Sequence, residues 1–407
     1  MKQTQPQPQQ QQKKHARQYL RAVFLVLVFI FGLLFGDTIS SIEESRRNAS
    51  STTEVALAVR SGNNDIVLNQ QGPVNEGSTP SATVTGTTAT TTGTNTVPNS
   101  NTDIGKIIKK SSGFNWTLWD QKAPIKPDII QDAQCHWTTF RSSTGKEAKM
   151  CTHDPTQDRL VSRSIVQQGR WKDCDALTQE LLQQQDDTST STNPLLFIDI
   201  GSNIGSCTLE VLLSTNAHVI AFEPHPRNQF CLTSTLMELP LEMRQRVTYF
   251  PIALGKESGP STIHAADGNF GNSVVGKEIK DFAKQQFQQP IPIVMERLDD
   301  VLDTQQQQQH DYNIGLMKLD AQGLECQIVE GMPQVLTSKV LKIHTELAGK
   351  WLRGHGCSPP IYLNQLRAAQ FDVYLNNKGG SKTILVPGDN VPGGILTVTA
   401  LKKKQQQ

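Results

Sequence analysis

The segment Leu195–Pro224, LLFIDIGSNIGSCTLEVLLSTNAHVIAFEP, constrains this chain more than any other part of it. An apolar run reaches Asp199, a turn passes through Gly201, Ser202, Asn203 and Gly205, and a helical pattern follows. Glycine is needed where backbone takes positive φ or lies close against a ligand. A second apolar run, His218–Glu223, ends in a carboxylate about 20 residues past the turn, where doubly wound folds place the acceptor for two ribose hydroxyls. Such a strand–turn–helix–strand unit belongs to a parallel sheet whose ligands gather at the strands' carboxyl ends.

The alternation continues. Strands are expected at Leu195–Ile200, His218–Glu223, Val247–Leu254, Gly315–Asp320, Val340–Glu346, Phe371–Asn376 and Gly394–Leu401. Helices are expected near Asp175–Gln185, Ser206–Ser214, Asn228–Leu239, Glu325–Thr337 and Pro360–Gln370. The fold class is therefore α/β, a mostly parallel sheet of seven strands with helices on both faces. The Gln305–Gln309 run reads as a loop expansion.

The turn also discriminates between cofactors. A dinucleotide lays its pyrophosphate on the helix N-terminus, usually through G-x-G-x-x-G. Here the spacing is D-x-G-x-x-x-G, with Asp199 at the turn. A carboxylate there repels pyrophosphate and suits a cationic cofactor such as S-adenosylmethionine, with its sulfonium and ammonium groups.

Upstream, the chain is of another kind. Residues 1–19 form a Gln/Pro-rich tail, disordered by composition. Residues 20–36 contain the uncharged run Ala22–Gly36, which with Leu20 and a snorkelling Arg21 approaches the length of a bilayer span. Lys13, Lys14 and Arg17 precede it, and Asp37, Glu43 and Glu44 follow. That bias keeps the N-terminus cytoplasmic and the remainder luminal. A retained signal anchor is expected; the rival is a cleaved signal peptide, against which stand a long n-region and no clear cleavage site. Residues 37–113 are a Ser/Thr-rich stalk too poor in apolar residues to fold. Sequons at Asn48 and Asn115 fit a luminal address, in the Golgi or endoplasmic reticulum. The folded domain is expected over 114–402.

The net charge is +1, and no basic stripe interleaves with aromatics, so nucleic acid is not the expected partner. Among seven cysteines no C-x-x-C pair occurs, and no metal-ligand cluster stands out. Cys207, Cys231 and Cys326 fall in core-helix patterns and read as free apolar thiols. In an oxidising lumen a Cys135–Cys151 bridge is plausible; free surface thiols are the alternative. Asp299 and Asp303 read as an exposed polar face, and His225 and Arg227 as solvated.

In order and spacing, FIDIGSNIGSCTL, VIAFEP, VTYFPIALG and LMKLDAQGLECQIVEG resemble the FkbM-type methyltransferases. The likeness spans residues 158–376, including the approach DRLVSRSIVQQGRW. It implies a Rossmann-like class I methyltransferase fold with a reversed closing strand, and methyl transfer from S-adenosylmethionine, most often to a hydroxyl of a sugar or natural product. By position, Asp199, Gly201, Ser202, Asn203 and Gly205 would line the donor's methionine end. Glu223 would hold its ribose, and Ala253 and Leu254 would lie near its adenine. Ser273 would border the site, and Lys318 and Asp320 would lie beside the donor. The family usually has D-x-E-G where this chain has Asp320, Gln322 and Gly323. That departure argues against an acid/base or metal role at Gln322 and does not touch the donor site.

A hydroxyl acceptor profits from a general base. Asp320 is the first candidate, with helix capping as its structural alternative. Glu346 is placed to bind the acceptor, and His344, mid-strand, reads more readily as a core histidine. The acceptor is a glycan or small molecule. Rival functions are a luminal glycosyltransferase, opposed by the lack of a well-placed D-x-D motif, an NAD-dependent nucleotide-sugar enzyme, and a binding module that has lost its chemistry.

Overall fold

The computed structural model describes residues 108, 114, 116–126, 128, 133–187, 195–276, 286–302, 314–337, 340–377, 380–389 and 394–403. The expected anchor over 20–36 and most of the stalk lie outside the described residues. Among the described residues, no helix is long and apolar enough to cross a membrane.

The described part opens with an antiparallel hairpin, β1 (His136–Arg141) and β2 (Glu147–Thr152). Helix α1 (Val161–Gln168) follows and stops at Gly169, which supplies the left-handed cap at φ 71°. A short turn leads to α2 (Asp175–Asp187). Then come β3 (Leu196–Ile200), α3 (Ser206–Ser214) and β4 (His218–Phe222). Every residue of β3 is buried, as a strand covered on both faces must be. Helix α4 (Pro226–Met237) starts with a proline in its first turn, and the His225 side chain accepts from the Arg227 N–H. Next are α5 (Leu241–Arg244), β5 (Val247–Phe250), β6 (Ala253–Leu254), β7 (Gly259–His264), β8 (Val274–Val275) and β9 (Ile291–Glu296). The remainder runs α6 (Leu298–Val301), β10 (Ile314–Leu319), α7 (Glu325–Glu330), α8 (Pro333–Thr337), β11 (Lys342–Ala348), α9 (Gly349–Gly354), α10 (Pro359–Ala368), β12 (Phe371–Asn376), β13 (Lys382–Leu385) and β14 (Ile395–Lys402).

The main sheet has eight strands rather than seven, in the order β13-β12-β14-β11-β10-β3-β4-β5. From β11 to β5 all neighbours are parallel. The closing strand β14 runs antiparallel between β11 and β12, and β13 adds an edge. The chain winds outward from β3 through β4 to β5, then resumes on the other side with β10 and β11. The switch point lies between β3 and β10, where doubly wound sheets bind ligands.

The expected strand Val247–Leu254 is two strands in different sheets: β5 closes the main sheet, while β6 joins β9, β7 and β8 in a second, four-stranded one. The expected helix Glu325–Thr337 is also two, because Pro333 lacks the N–H to continue it.

The Cys135–Cys151 bridge is present, but the reading of Cys207 and Cys326 as free thiols needs correction. Cys135 pairs with Cys151, Cys174 with Cys207, and Cys326 with Cys357, leaving Cys231 free and buried. Cys207 and Cys326 do sit in core helices, but each faces a cysteine from a loop distant in sequence. Asp299 is not an exposed face residue either. It is buried and accepts from the Gln334 and Val335 N–H groups, which caps α8.

Candidate active site

One open cleft of about 610 Å³ lies over the switch point. Gly201 and Asn203 from the β3–α3 turn form one wall, with Glu223 and Asn228 beside them. Ile252, Ala253, Leu254, Ile263 and Val275 make an apolar wall, and Asp320, Ala321 and Gln322 complete the lining. Phe270, Gly271 and Ser273 border it.

The β3–α3 turn is built for close approach. Gly201 has φ +77°, and a Cβ there would lie 1.9 Å from the Asp320 carbonyl oxygen. Asn203 takes φ 52°, an αL value that Asn tolerates better than most residues. Its N–H donates to Glu223 Oε2 at 2.8 Å, while its own Oδ1 is buried without a hydrogen-bond partner.

Glu223 ends β4 and is 5% exposed. Its Oε1 accepts from the His225 N–H at 2.8 Å and from Asn228 Nδ2 at 3.3 Å. Burial pushes its pKa up to about 7, against the pull of these donors.

Asp199 departs from its expected role. It is fully buried and does not line the cleft. Register sets it beside Lys318 on β10, whose Nζ lies 3.3 Å from Asp199 Oδ1, and Thr208 Oγ1 donates to Oδ2 at 2.8 Å. Lys318 Nζ also donates to the Gly201 carbonyl at 2.8 Å and lies 3.7 Å from Asp320. Burial alone would lower the lysine's pKa, but Asp199 and Asp320 outweigh it and raise the value. Asp199 therefore holds the turn through a buried ion pair instead of offering a bare charge to the ligand. Ser202 and Gly205 are likewise behind the wall. The Ser202 hydroxyl is engaged by the carbonyls of Asp199 and Phe222, and Gly205 packs under Leu232 at φ +86°.

Beside the glycine turn, Asp320 follows β10 and its N–H donates to the Ile200 carbonyl. Gln322 stands at φ 50°, and its amide donates to Asp320 Oδ1 at 2.8 Å and reaches Glu346 Oε2 at 3.5 Å. An acidic residue there would repel both carboxyls; the amide bridges them. Glu325 Oε1 accepts from the Ala321 and Gly323 N–H groups and fixes this turn. Glu346 sits behind Gln322, outside the cleft lining. Burial, then Asp320 and Glu325, push it up to about 8. His344 lies beside Lys318 in the register, two residues short of the strand's functional end, and burial pushes it down to about 4. It does not reach the cleft.

The sequence reading missed several participants. His225 is buried, and its ring stacks on Phe270 with centroids 5.8 Å apart. His153 contacts both Asn228 and Phe270 from the hairpin side. A helical Asn five residues past Glu223 was the one available signal for the first of these contacts. Among the described residues, no group of three or more His, Cys, Asp or Glu side chains could hold a metal ion.

Residues 199–386 match the family model of the methyltransferase FkbM domain. Over these residues the chain is similar to FkbM methyltransferase domains. The methyl donor of such a domain is S-adenosylmethionine. No curated protein matches the chain. Among solved structures it is similar to a precorrin-6y C5,15-methyltransferase from Geobacter metallireducens GS-15, at 14% identity and TM-score 0.28, covering 56% of this chain and 86% of that one. An S-adenosylmethionine-dependent O-methyltransferase from Thermotoga maritima aligns at 13% identity and TM-score 0.28, covering 66% and 79%. A glycopeptide N-methyltransferase in complex with S-adenosylmethionine aligns at 13% and 0.26, covering 56% and 94%. The cleft fits the donor by its own features. Its apolar wall suits a purine, Glu223 suits the ribose, and the unpartnered Asn203 Oδ1 is an acceptor awaiting a donor group.

Proposed function

We propose that this domain methylates a hydroxyl group of a glycan or small molecule inside the secretory lumen. One observation carries the chemistry: Glu223 and Asp320 line the same cleft. When bound, S-adenosylmethionine supplies a methyl carbon already activated by its sulfonium. The protein's tasks are then to position the acceptor and take its proton. Gly201, Asn203, Glu223, Ala253 and Leu254 hold the donor. Asp320 is the base. Gln322 orients its carboxylate, and Lys318 Nζ lies 3.7 Å away. Glu346, held protonated at neutral pH, backs Gln322 and does not compete for the proton.

The luminal address is supported from two directions. Bridges join six of the seven cysteines, and such bonds persist in oxidising compartments. The apolar run at 20–36, with basic residues before it, would leave this domain on the luminal side.

The test incubates the full chain with methyl-labelled S-adenosylmethionine and a pool of secreted glycans and small metabolites. Label is expected in an O-methyl group. Asp320→Asn should lower turnover by about 10²–10⁴-fold while binding of S-adenosylhomocysteine persists. Label only on nitrogen, or an equally active Asp320→Asn protein, overturns the reading. Protease protection of the domain in sealed microsomes tests its location.

A further inference from the structure

Outside residues 199–386, one side chain that follows the hairpin packs against two residues lining the cleft. His153 directly follows β2. Its backbone N–H donates to Ser162 Oγ, and two residues earlier Cys151 is fixed by its bridge to Cys135 and by donation to Thr235 Oγ1. The imidazole is 6% exposed. Its Nε2 lies 2.8 Å from Asn228 Oδ1, and its Nδ1 lies 3.5 Å from Cys231 Sγ. Its ring meets Phe270 edge-on with centroids 4.8 Å apart. Asn228 and Phe270 both line the cleft.

Hydrogen-bond polarity fixes the direction of this chain of contacts. Glu223 Oε1 accepts, so the Asn228 atom facing it is the amide nitrogen. Asn228 Oδ1 therefore faces His153 and must accept, which places the imidazole proton on Nε2. Nδ1 is left as an acceptor for the thiol of Cys231. Burial pushes the thiol's pKa up, so it keeps its proton, and burial holds the imidazole below its usual range, so it stays neutral. Each group has one consistent role: thiol to imidazole, imidazole to amide, amide to the ribose carboxylate.

We propose that His153 is a positioning residue of the donor site, acting through Asn228 on Glu223 and through Phe270 on the cleft rim. The disulfide-closed hairpin is thereby part of the donor-binding apparatus and not only a cover for the sheet. Without the Nε2 proton, the Asn228 amide is free to rotate and to turn its oxygen toward Glu223, which repels it. The proposal rests on donor binding in this cleft and is independent of the acceptor.

The test uses the full chain and calorimetric titration with S-adenosylhomocysteine. His153→Phe keeps an aromatic ring against Phe270 but cannot donate to Asn228. His153→Gln restores a nitrogen donor close to the position of Nε2. Affinity should fall about tenfold in His153→Phe, the scale of one buried polar group left unpaired, and return to within about threefold of wild type in His153→Gln. Nitrogen NMR of histidine-labelled wild-type protein gives a second measurement that needs no folded variant. It should find His153 neutral, protonated on Nε2, and shifted by saturating S-adenosylhomocysteine. Equal affinity in His153→Phe, equal loss in both variants, or an Nδ1-protonated ring indifferent to ligand overturns the proposal. Absence of binding to the wild-type protein would instead remove the donor reading on which it rests.

Discussion

Donor affinity should rise with pH, and the rise should belong to one carboxyl group. Glu223 is buried and pushed up to about 7, even though Asn203 N–H, His225 N–H and Asn228 Nδ2 donate to it. Ribose hydroxyls add donors, so the bound state favours carboxylate over acid. With a pKa of about 7, roughly one Glu223 in ten is ionised at pH 6 and nine in ten at pH 8. Affinity for S-adenosylhomocysteine should therefore increase roughly tenfold across that interval, about 1.4 kcal/mol. Linkage gives the apo protein the opposite slope. A carboxyl raised from 4.5 to about 7 on folding stabilises the fold fully below pH 4.5, and that contribution is lost as pH rises through 7. The thermal shift produced by ligand should thus be larger at pH 8 than at pH 6. Calorimetric titration of the full chain at pH 6, 7 and 8 measures the first effect. Glu325 and Glu346 titrate in the same window, at about 7 and 8, but neither lines the cleft. Glu223→Gln should bind more weakly, by about 1.5–3 kcal/mol, with little pH dependence. A flat wild-type profile, or the wild-type slope surviving in Glu223→Gln, would refute the idea that burial of this carboxyl governs donor binding.

Three further outcomes follow from the same geometry. Gly201→Ala would press a Cβ to 1.9 Å from the Asp320 carbonyl oxygen at φ +77°, so donor binding should vanish and stability fall by roughly 2–5 kcal/mol in urea unfolding; an unchanged midpoint contradicts this. Lys318→Met leaves Asp199 buried with only Thr208 donating to it, at a cost of about 3–5 kcal/mol, and adding Asp199→Asn should recover much of the loss in chemical denaturation. The three disulfides span sequence separations of 16, 33 and 31 residues, so reduction should remove about 3–4 kcal/mol for each bridge and lower the unfolding temperature markedly; a melt indifferent to reductant counts against the pairing.

The core of the fold was legible because its determinants are local. The Ser206–Ser214 helix and the Phe371–Asn376 strand fall where apolar periodicity puts them, and β3, β4 and β10 begin or end within a residue of expectation. What stayed hidden depends on partners far along the chain. The hairpin β1–β2 and the small sheet of β6 to β9 are short, and prolines at 260 and 292 interrupt their alternation. Cys207 and Cys326 look like core thiols in their own helices, and only the fold brings Cys174 and Cys357 to them. Asp199 is the most instructive residue of the site. Its position at the glycine turn invited a direct electrostatic role toward the donor, but the register of β10 against β3 sets Lys318 beside it. Glu223 and Asp320 do line the cleft, because each stands at the carboxyl end of a strand beside β3, β4 on one side and β10 on the other.

Lys318 and Asp320 are two positions apart on one continuous backbone, in the middle of the sheet and hydrogen-bonded to β3. Two residues of extended chain measure roughly 6.6 Å, and a central strand does not stretch. In the proposed mechanism that interval is a molecular ruler between the residue gripping the glycine turn and the base that receives the acceptor's proton. On that proposal, loops around the rim can diverge to admit acceptors of different shape while each acceptor brings its reactive oxygen to the same mark.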